Sequence, residues 1–457
     1  MRDTDSLSEC RAMSENKTKV CFKDIVIVGA GAAGLLFAGA LGEAGGRAVV
    51  IEGSGKAGTK LLMAGGGQCN LTHGGSAKDF IVHYGDSGRY IRGILQKYNN
   101  VRFCRFMESL GVPVMEREDG KIFPASMNGR DVLKALLHRI RQNGTDIISG
   151  AKVTGIRRIQ GGGYPAEGDR RYDYALTTEK GIFACRYLVI ATGGCSYPST
   201  GSDGKMLEIL ARDLAIKITP LSPALAPVYV KDYAFGDLSG MSFKNVRLTI
   251  PAGENTASGG APEPGSAGGR EFSAFGDLLF AERKLSGPVI LDNARRMAAG
   301  GRFRIGFLGR TTGTECAARM KRDFPGSGRS PQSYMSEELG LPRRFSQRIA
   351  EMLGISGNKV SQLSGAQINR LAGTLTDHEF VIQRLGGFEE AMATCGGVAL
   401  EQIKPQNMSL PNEPGLYVIG EAVDIDGDTG GYNLQFAFSS ANAAAADILR
   451  TIDESCI

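Results

Sequence analysis

Residues 24–52 open as Asp24-Ile25-Val26-Ile27-Val28-Gly29-Ala30-Gly31-Ala32-Ala33-Gly34 and close as Arg47-Ala48-Val49-Val50-Ile51-Glu52. An apolar strand runs into a glycine turn, a helix from about Ala32 to Ala44, and a second apolar strand ending in a carboxylate. That order predicts a dinucleotide-binding unit. Gly29 permits the tight turn off the strand. Gly31 lacks the Cβ that would hold backbone amides away from a pyrophosphate, and Gly34 lets the helix pack closely. The amides of Ala30, Ala32 and Ala33 and the positive end of the helix then face the phosphates. Glu52, 23 residues after Gly29 and followed by Gly53, stands where an acid accepts hydrogen bonds from a ribose diol.

Working outward, Lys60-Leu61-Leu62-Met63-Ala64-Gly65-Gly66-Gly67-Gln68-Cys69-Asn70 makes no helix or strand of its own. Its glycines allow backbone to lie flat against a planar ligand; the plainer reading is a loop. Residues 87–110 and 129–143 carry helical apolar spacing, the second behind an Asn128 cap. Ala151–Ile156 reads as the strand closing a half-unit, with Val153 main chain near an adenine edge. Tyr187–Ile190 is a buried strand delivering the bare backbone of Ala191-Thr192-Gly193-Gly194 to whatever lies above its end.

From about Lys217 short apolar segments alternate with turns, as in a β-rich domain. The Gly, Ala, Pro and Ser run Pro251–Arg270 predicts a mobile hairpin loop. Residues 334–373 read as a small helical cluster. Near the end, Leu416–Ile419 leads to Gly420-Glu421, then Asp424-Ile425-Asp426-Gly427-Asp428-Thr429-Gly430-Gly431-Tyr432-Asn433-Leu434-Gln435 and an Ala-rich helix. A late strand bringing an acid forward, followed by a helix N-terminus, fits a flavin site. The alternating Asp residues lack the flanking helices and twelfth-position Glu of an EF-hand, so calcium is not expected.

The net charge of +5, from 53 basic and 48 acidic residues, is too balanced to signal a nucleic acid or an anionic membrane. No apolar stretch approaches the ~20 residues of a membrane span, and residues 1–22 read as a flexible extension, so a cytoplasmic protein is expected. Nine Cys without a Cys-x-x-Cys fit reduced thiols. The four His show no metal-ligand spacing, and no metal site is expected.

Together these motifs resemble the HI0933-like bacterial flavoproteins, NAD(P)/FAD-dependent oxidoreductases. The likeness rests on Lys60–Leu62, Gly65–Asn70, Ala191–Gly194, Leu285–Pro288, Thr394–Val398 and Asp424–Gln435. It implies an α/β fold: a Rossmann-like FAD domain with a parallel sheet built from both chain ends (23–214 and 394–457). Inserted between them are a β-barrel-like domain (215–333, returning over 374–393) and a small helical domain (334–373). Where the family usually has Arg, this chain has Gln68. Where it has a Thr-His pair and a Gly before Leu-Ser-Gly-Pro, this chain has Ala281-Glu282 and Lys284.

The expected cofactor is FAD, held by Gly29–Gly34, Glu52, Gly53, Lys60, Leu61, Gly65–Asn70, Val153, Ala191–Gly194, Gly420, Glu421, Asp426, Gly431, Asn433 and Leu434. Tyr432, Asn433 and Gln435 are the candidate catalytic side chains beside the ring. No second strand-glycine-helix unit exists for a nicotinamide, so NAD(P)H is expected as a transient donor. The expected substrate is small or steroid-like. The alternative is a flavin-binding sensor or nucleic-acid-associated protein using Arg343, Arg344 and Arg348, although nucleic acid is not the expected partner. The oligomeric state is left open.

Overall fold

The computed structural model describes residues 10–13, 18–159, 172–252 and 271–454. The chain folds into two compact units, Met1–Pro223 with Met392–Ile457, and Ala224–Ala391.

In the first unit five strands run parallel in the order Glu413–Val418, Gly181–Ile190, Thr18–Val28, Ala48–Glu52, Asp146–Ser149. Ile25, Val26 and Ile27 are wholly enclosed, because helices cover both faces of such a sheet and the apolar run needs no alternation. Register decides where the site lies. Val28 pairs with Ile51 on one side and Ile190 on the other, and Ile190 pairs with Val418. Gly29, Glu52, Ala191 and the Ile419–Glu421 segment therefore all leave the sheet at one edge, the carboxyl ends of its strands, where ligands of such sheets bind.

Several local expectations shift. The strand completing the parallel sheet is Asp146–Ser149, whereas Val153–Arg158 pairs antiparallel with Tyr174–Thr178. Residues 87–110 break into three helices, Ser87–Tyr90, Arg92–Lys97 and Asn100–Ser109. The first strand begins at Thr18 and pairs with Cys10–Met13, so these parts of the expected flexible extension are sheet. Cys21 on that strand is disulfide-bonded, against the expectation of reduced thiols; Cys69, Cys104, Cys185, Cys195, Cys316 and Cys395 are free. The strand Ile218–Ala224 pairs with Ala393–Val398, which carries the first unit beyond the expected boundary at residue 214.

The second unit is built on a closed antiparallel barrel of Val228–Val230, Leu285–Ser286, Phe272–Phe280, Ser242–Ile250, Arg302–Gly306 and His378–Leu385. Most of the expected loop Pro251–Arg270 lies outside the described residues. Phe235, Phe243, Phe280 and Phe307 meet in one core, and Phe345 of the helix Arg343–Met352 enters it, 4.8 Å from Phe243 and 4.6 Å from Phe307 between ring centres. The helical cluster thus shares the barrel's hydrophobic core where the sequence suggests a separate domain. Arg344 and Arg348 donate to the main-chain carbonyls of Asp237 and Ala234, which ties both to the barrel. Lys284 pairs with Glu390 at 2.6 Å, and Glu282 is exposed.

Candidate cofactor site

The three fingerprint glycines do three different jobs. Gly29 has φ +104°, and a Cβ on it would lie 2.6 Å from the Ala191 carbonyl oxygen; its own amide donates to the Ile51 carbonyl at 2.8 Å. A Cβ on Gly34 would lie 2.0 Å from the Gly29 carbonyl oxygen, so the contact that demands glycine there is helix against turn. Gly31 is the exception: a Cβ on it would meet nothing closer than the Ala191 oxygen at 4.0 Å. As the cap of the helix Ala32–Ala40 it brings no side-chain acceptor, and the first bond inside the helix runs from the Leu35 amide to the Gly31 carbonyl. The amides before Leu35 are left for an outside acceptor. An open direction and uncapped amides at one point fit an anionic diphosphate.

Glu52 accepts from the Ala30 amide at 2.8 Å and the Ser54 amide at 2.7 Å, one on each oxygen. Each oxygen keeps a lone pair for a ribose hydroxyl.

The Gly58 amide donates to the Ala30 carbonyl at 2.8 Å, which brings the following segment to the turn. Gly65, Gly66 and Gly67 take φ of +58°, +67° and +90°, and Cys69 follows at +62°. A Cβ on Gly65 would lie 2.8 Å from the Asn70 amide nitrogen, whereas Gly66 faces open space. Cys69 is enclosed, and burial pushes its thiol up to about 12, so it is no thiolate nucleophile. Gln68 is exposed. Asn70 is buried, and its Oδ1 has no hydrogen-bond partner among the described residues. Such an acceptor is costly to leave unmet, and it stands beside the glycine run.

Lys60 and Glu421 meet at 2.6 Å. Ser196 joins them, accepting from Lys60 Nζ at 2.5 Å and donating to Glu421 Oε1 at 2.6 Å. The Thr394 amide donates to the same oxygen at 2.9 Å, and Thr394 Oγ1 accepts from the amides of Cys195 and Ser196. Burial opposes ionisation of Glu421. The Lys60 ammonium and the hydrogen bonds from Lys60, Ser196 and Thr394 outweigh it and hold the carboxyl below the ordinary range. Ser196 escapes the sequence reading because its partners Lys60 and Glu421 are 136 and 225 residues away; Thr394 is 27 residues from Glu421 but 198 from Ser196, and no local spacing reveals such a join.

At the far end of the chain, a Cβ on Gly420 would touch Ala33 Cβ at 2.7 Å, which sets the late strand against the first helix. Gly430 and Gly431 have φ of +123° and +99° and lead into the helix Tyr432–Glu454. Asn433 is bonded both ways to the Gly427 main chain at 2.8 Å, which fixes the Gly427–Asn433 turn. Gln435 is fully enclosed, donating to Tyr98 O and Ser439 Oγ and accepting from Thr72 Oγ1, so its amide is committed to the fold. The Tyr432 ring is buried and stacks 4.0 Å from the His83 ring. His83 Nδ1 lies 3.0 Å from Asp428 Oδ2. Val153 pairs with Thr178, Asp426 is buried and Leu434 partly exposed.

Comparison with known proteins adds to this geometry. The chain is 27% identical over 434 residues to the ribosomal RNA dihydrouridine synthase of Haemophilus influenzae, covering 94% of this chain and 99% of that protein. It is 27% identical over 435 residues to the Escherichia coli protein of the same name, with 93% and 98% covered. It is also 27% identical over 437 residues to the 3-dehydro-bile acid delta(4,6)-reductase of Clostridium scindens, with 93% and 99% covered. The HI0933-like protein Rossmann domain matches residues 23–447. With its parallel sheet, glycine turn and inserted barrel, the chain belongs to the HI0933-like family.

Proposed function

We propose that this protein is an FAD-dependent reductase that adds two hydrogens across a carbon–carbon double bond conjugated to a carbonyl. The observation that carries the reading is the Gly31 helix start, uncapped and open, at the same sheet edge as Glu52 and the Gly420–Glu421 turn. Dihydrouridine formation and reduction of an unsaturated bile acid, the reactions named in the relatives, share this chemistry.

Bound FAD supplies the hydride chemistry. The amides from Ala32 onward take its pyrophosphate and Glu52 its adenosine ribose. The helix start at Tyr432 would offer its positive end to the bound flavin, which would stabilise negative charge on the cofactor. The buried Asn70 Oδ1, without a hydrogen-bond partner among the described residues, would be free to accept from the cofactor. Lys60, Ser196, Thr394 and Glu421 hold four separate segments in register around the site, and Asn433 shapes the turn before the terminal helix.

Two expectations follow. Glu52→Ala removes a charged acceptor and weakens FAD by about 1.5–3 kcal/mol, read by fluorescence titration of the apoprotein; an unchanged Kd contradicts the ribose role. The sequence holds no second strand-glycine-helix unit for a nicotinamide, so anaerobic stopped-flow reduction saturates only at ~0.1–1 mM NAD(P)H, the upper part of ordinary KM values. Micromolar saturation contradicts transient donor binding, and no reduction by either nicotinamide requires a different donor.

A further inference from the structure

The small net charge of the chain is unevenly placed. Residues 87–142 hold eleven Lys and Arg against five Asp and Glu, so this stretch alone exceeds the +5 of the whole chain. Three of the five acids lie in or beside the hairpin Val114–Glu116 and Lys121–Pro124, where Asp119 pairs with Arg117 and Lys121. The helices Ser87–Tyr90, Arg92–Lys97, Asn100–Ser109 and Gly129–Gln142 keep nine basic residues against Glu108 and Asp131. None of the nine makes an ion pair among the described residues.

The basic side chains are also aligned, with one histidine among them. Arg130, Lys134, His138 and Arg141 recur at four, four and three residues, one stripe of a helix, and are all exposed; Val132, Leu136 and Ile140 are buried on the same helix. The stripe is ~17 Å long at 1.5 Å per residue. Arg102 and Arg105 are exposed on the neighbouring helix Asn100–Ser109. The two helices meet over Gly39, where a Cβ would lie 3.4 Å from the Phe106 ring and 3.9 Å from Arg139 Cγ. A solvated helix face normally interleaves acids four residues from its cations, because unrelieved like charges destabilise it. Here Arg102 stands over the Tyr98 ring at 5.9 Å, whereas Arg105, Arg130, Lys134 and Arg141 keep that cost with no ion pair among the described residues.

We propose that this face of the first unit, centred on Arg105, Lys134 and Arg141, binds the phosphate backbone of an RNA substrate. The choice of RNA among polyanions rests on the reductase reading above. Unpaired exposed cations suit phosphates because neutralising them releases condensed counterions. The face gives no base readout; it positions the strand.

The test uses the full-length, FAD-loaded protein and a fluorescein-labelled RNA stem-loop, followed by anisotropy across a salt series. Wild type binds, with log Kd rising steeply with log salt. The triple variant Arg105→Glu, Lys134→Glu, Arg141→Glu binds at least ~10-fold more weakly and loses about one unit of salt slope per residue. The Gln version at the same positions lies between, and flavin content and enone reduction remain at the wild-type level in both, which separates a lost surface from a lost fold. Wild-type failure to bind RNA, or binding indifferent to both variants, overturns the proposal. So does binding of phosphatidylglycerol vesicles or poly-glutamate in preference to RNA. RNA binding at this face in a protein that reduces no conjugated double bond leaves the surface standing and removes the reductase reading. Enone reduction without RNA binding does the reverse.

Discussion

Gly31→Val should purify as a folded but colourless protein, while Gly34→Ala should fail to fold. The two glycines stand three residues apart in one motif, and their surroundings differ. At Gly31 φ is −79°, comfortable for any residue, and the direction of the missing Cβ is open to 4.0 Å. A Cβ there meets no close contact in the protein, and the side chain it carries would occupy the approach of a pyrophosphate to the helix amides. Losing two charged hydrogen bonds costs about 3–6 kcal/mol of FAD binding, two to four orders of magnitude in Kd. At Gly34 the added Cβ would stand 2.0 Å from the Gly29 carbonyl oxygen. Turn and helix must separate, at more than the about 1–3 kcal/mol of ordinary overpacking. Absorbance near the flavin bands and circular dichroism read both outcomes. A yellow Gly31→Val protein, or a native-like Gly34→Ala protein, contradicts the assignment.

The second large effect is expected from Lys60→Met. It removes the cation facing Glu421 and leaves that carboxylate among Ser196 and Thr394 with its burial uncompensated. Breaking an enclosed pair costs about 3–5 kcal/mol; both side chains keep some contact with solvent, which brings the expectation to about 2–3 kcal/mol in urea unfolding of the apoprotein. The pH dependence has a definite sign. The folded carboxyl lies below its ordinary value, so the pair stabilises wild type above the unfolded Glu pKa of about 4.3 and loses that contribution as pH falls through the folded value. The difference between wild type and variant should therefore be full at neutral pH and shrink in acid. A difference that is constant with pH would assign Lys60 a packing role only.

Much of the first unit is legible in the sequence because its signals are local. A strand, a turn needing φ of +104° at Gly29 and a helix start lie within adjacent residues, and Glu52 follows one helix later. Asn128 is equally plain, and its Oδ1 accepts from the Arg130 amide. The strand Asp146–Ser149 is missed because its four residues begin and end polar, while the better-patterned Val153–Arg158 belongs to the antiparallel edge. Gln435 looks like a ring-side amide from its place after Gly430-Gly431, yet one helical turn carries it to the buried side, against Tyr98 and Ser439. The Lys60–Ser196–Thr394–Glu421 join is invisible for a different reason: it exists only once four distant segments have folded together. The basic face is lost to averaging, since a balanced whole-chain charge conceals a stretch that is strongly one-signed.

The central claim is best tested by a single turnover. Purified protein is reduced anaerobically with NADPH or dithionite, freed of excess reductant, and mixed with 4-androstene-3,17-dione or with a uridine-containing ribosomal RNA fragment, while oxidised-flavin absorbance and product mass are followed. At least one acceptor is expected to restore the yellow spectrum and to gain two hydrogens per flavin reoxidised. Extraction of FMN in place of FAD, or a reduced flavin that neither acceptor reoxidises while oxygen does so rapidly, would contradict that claim.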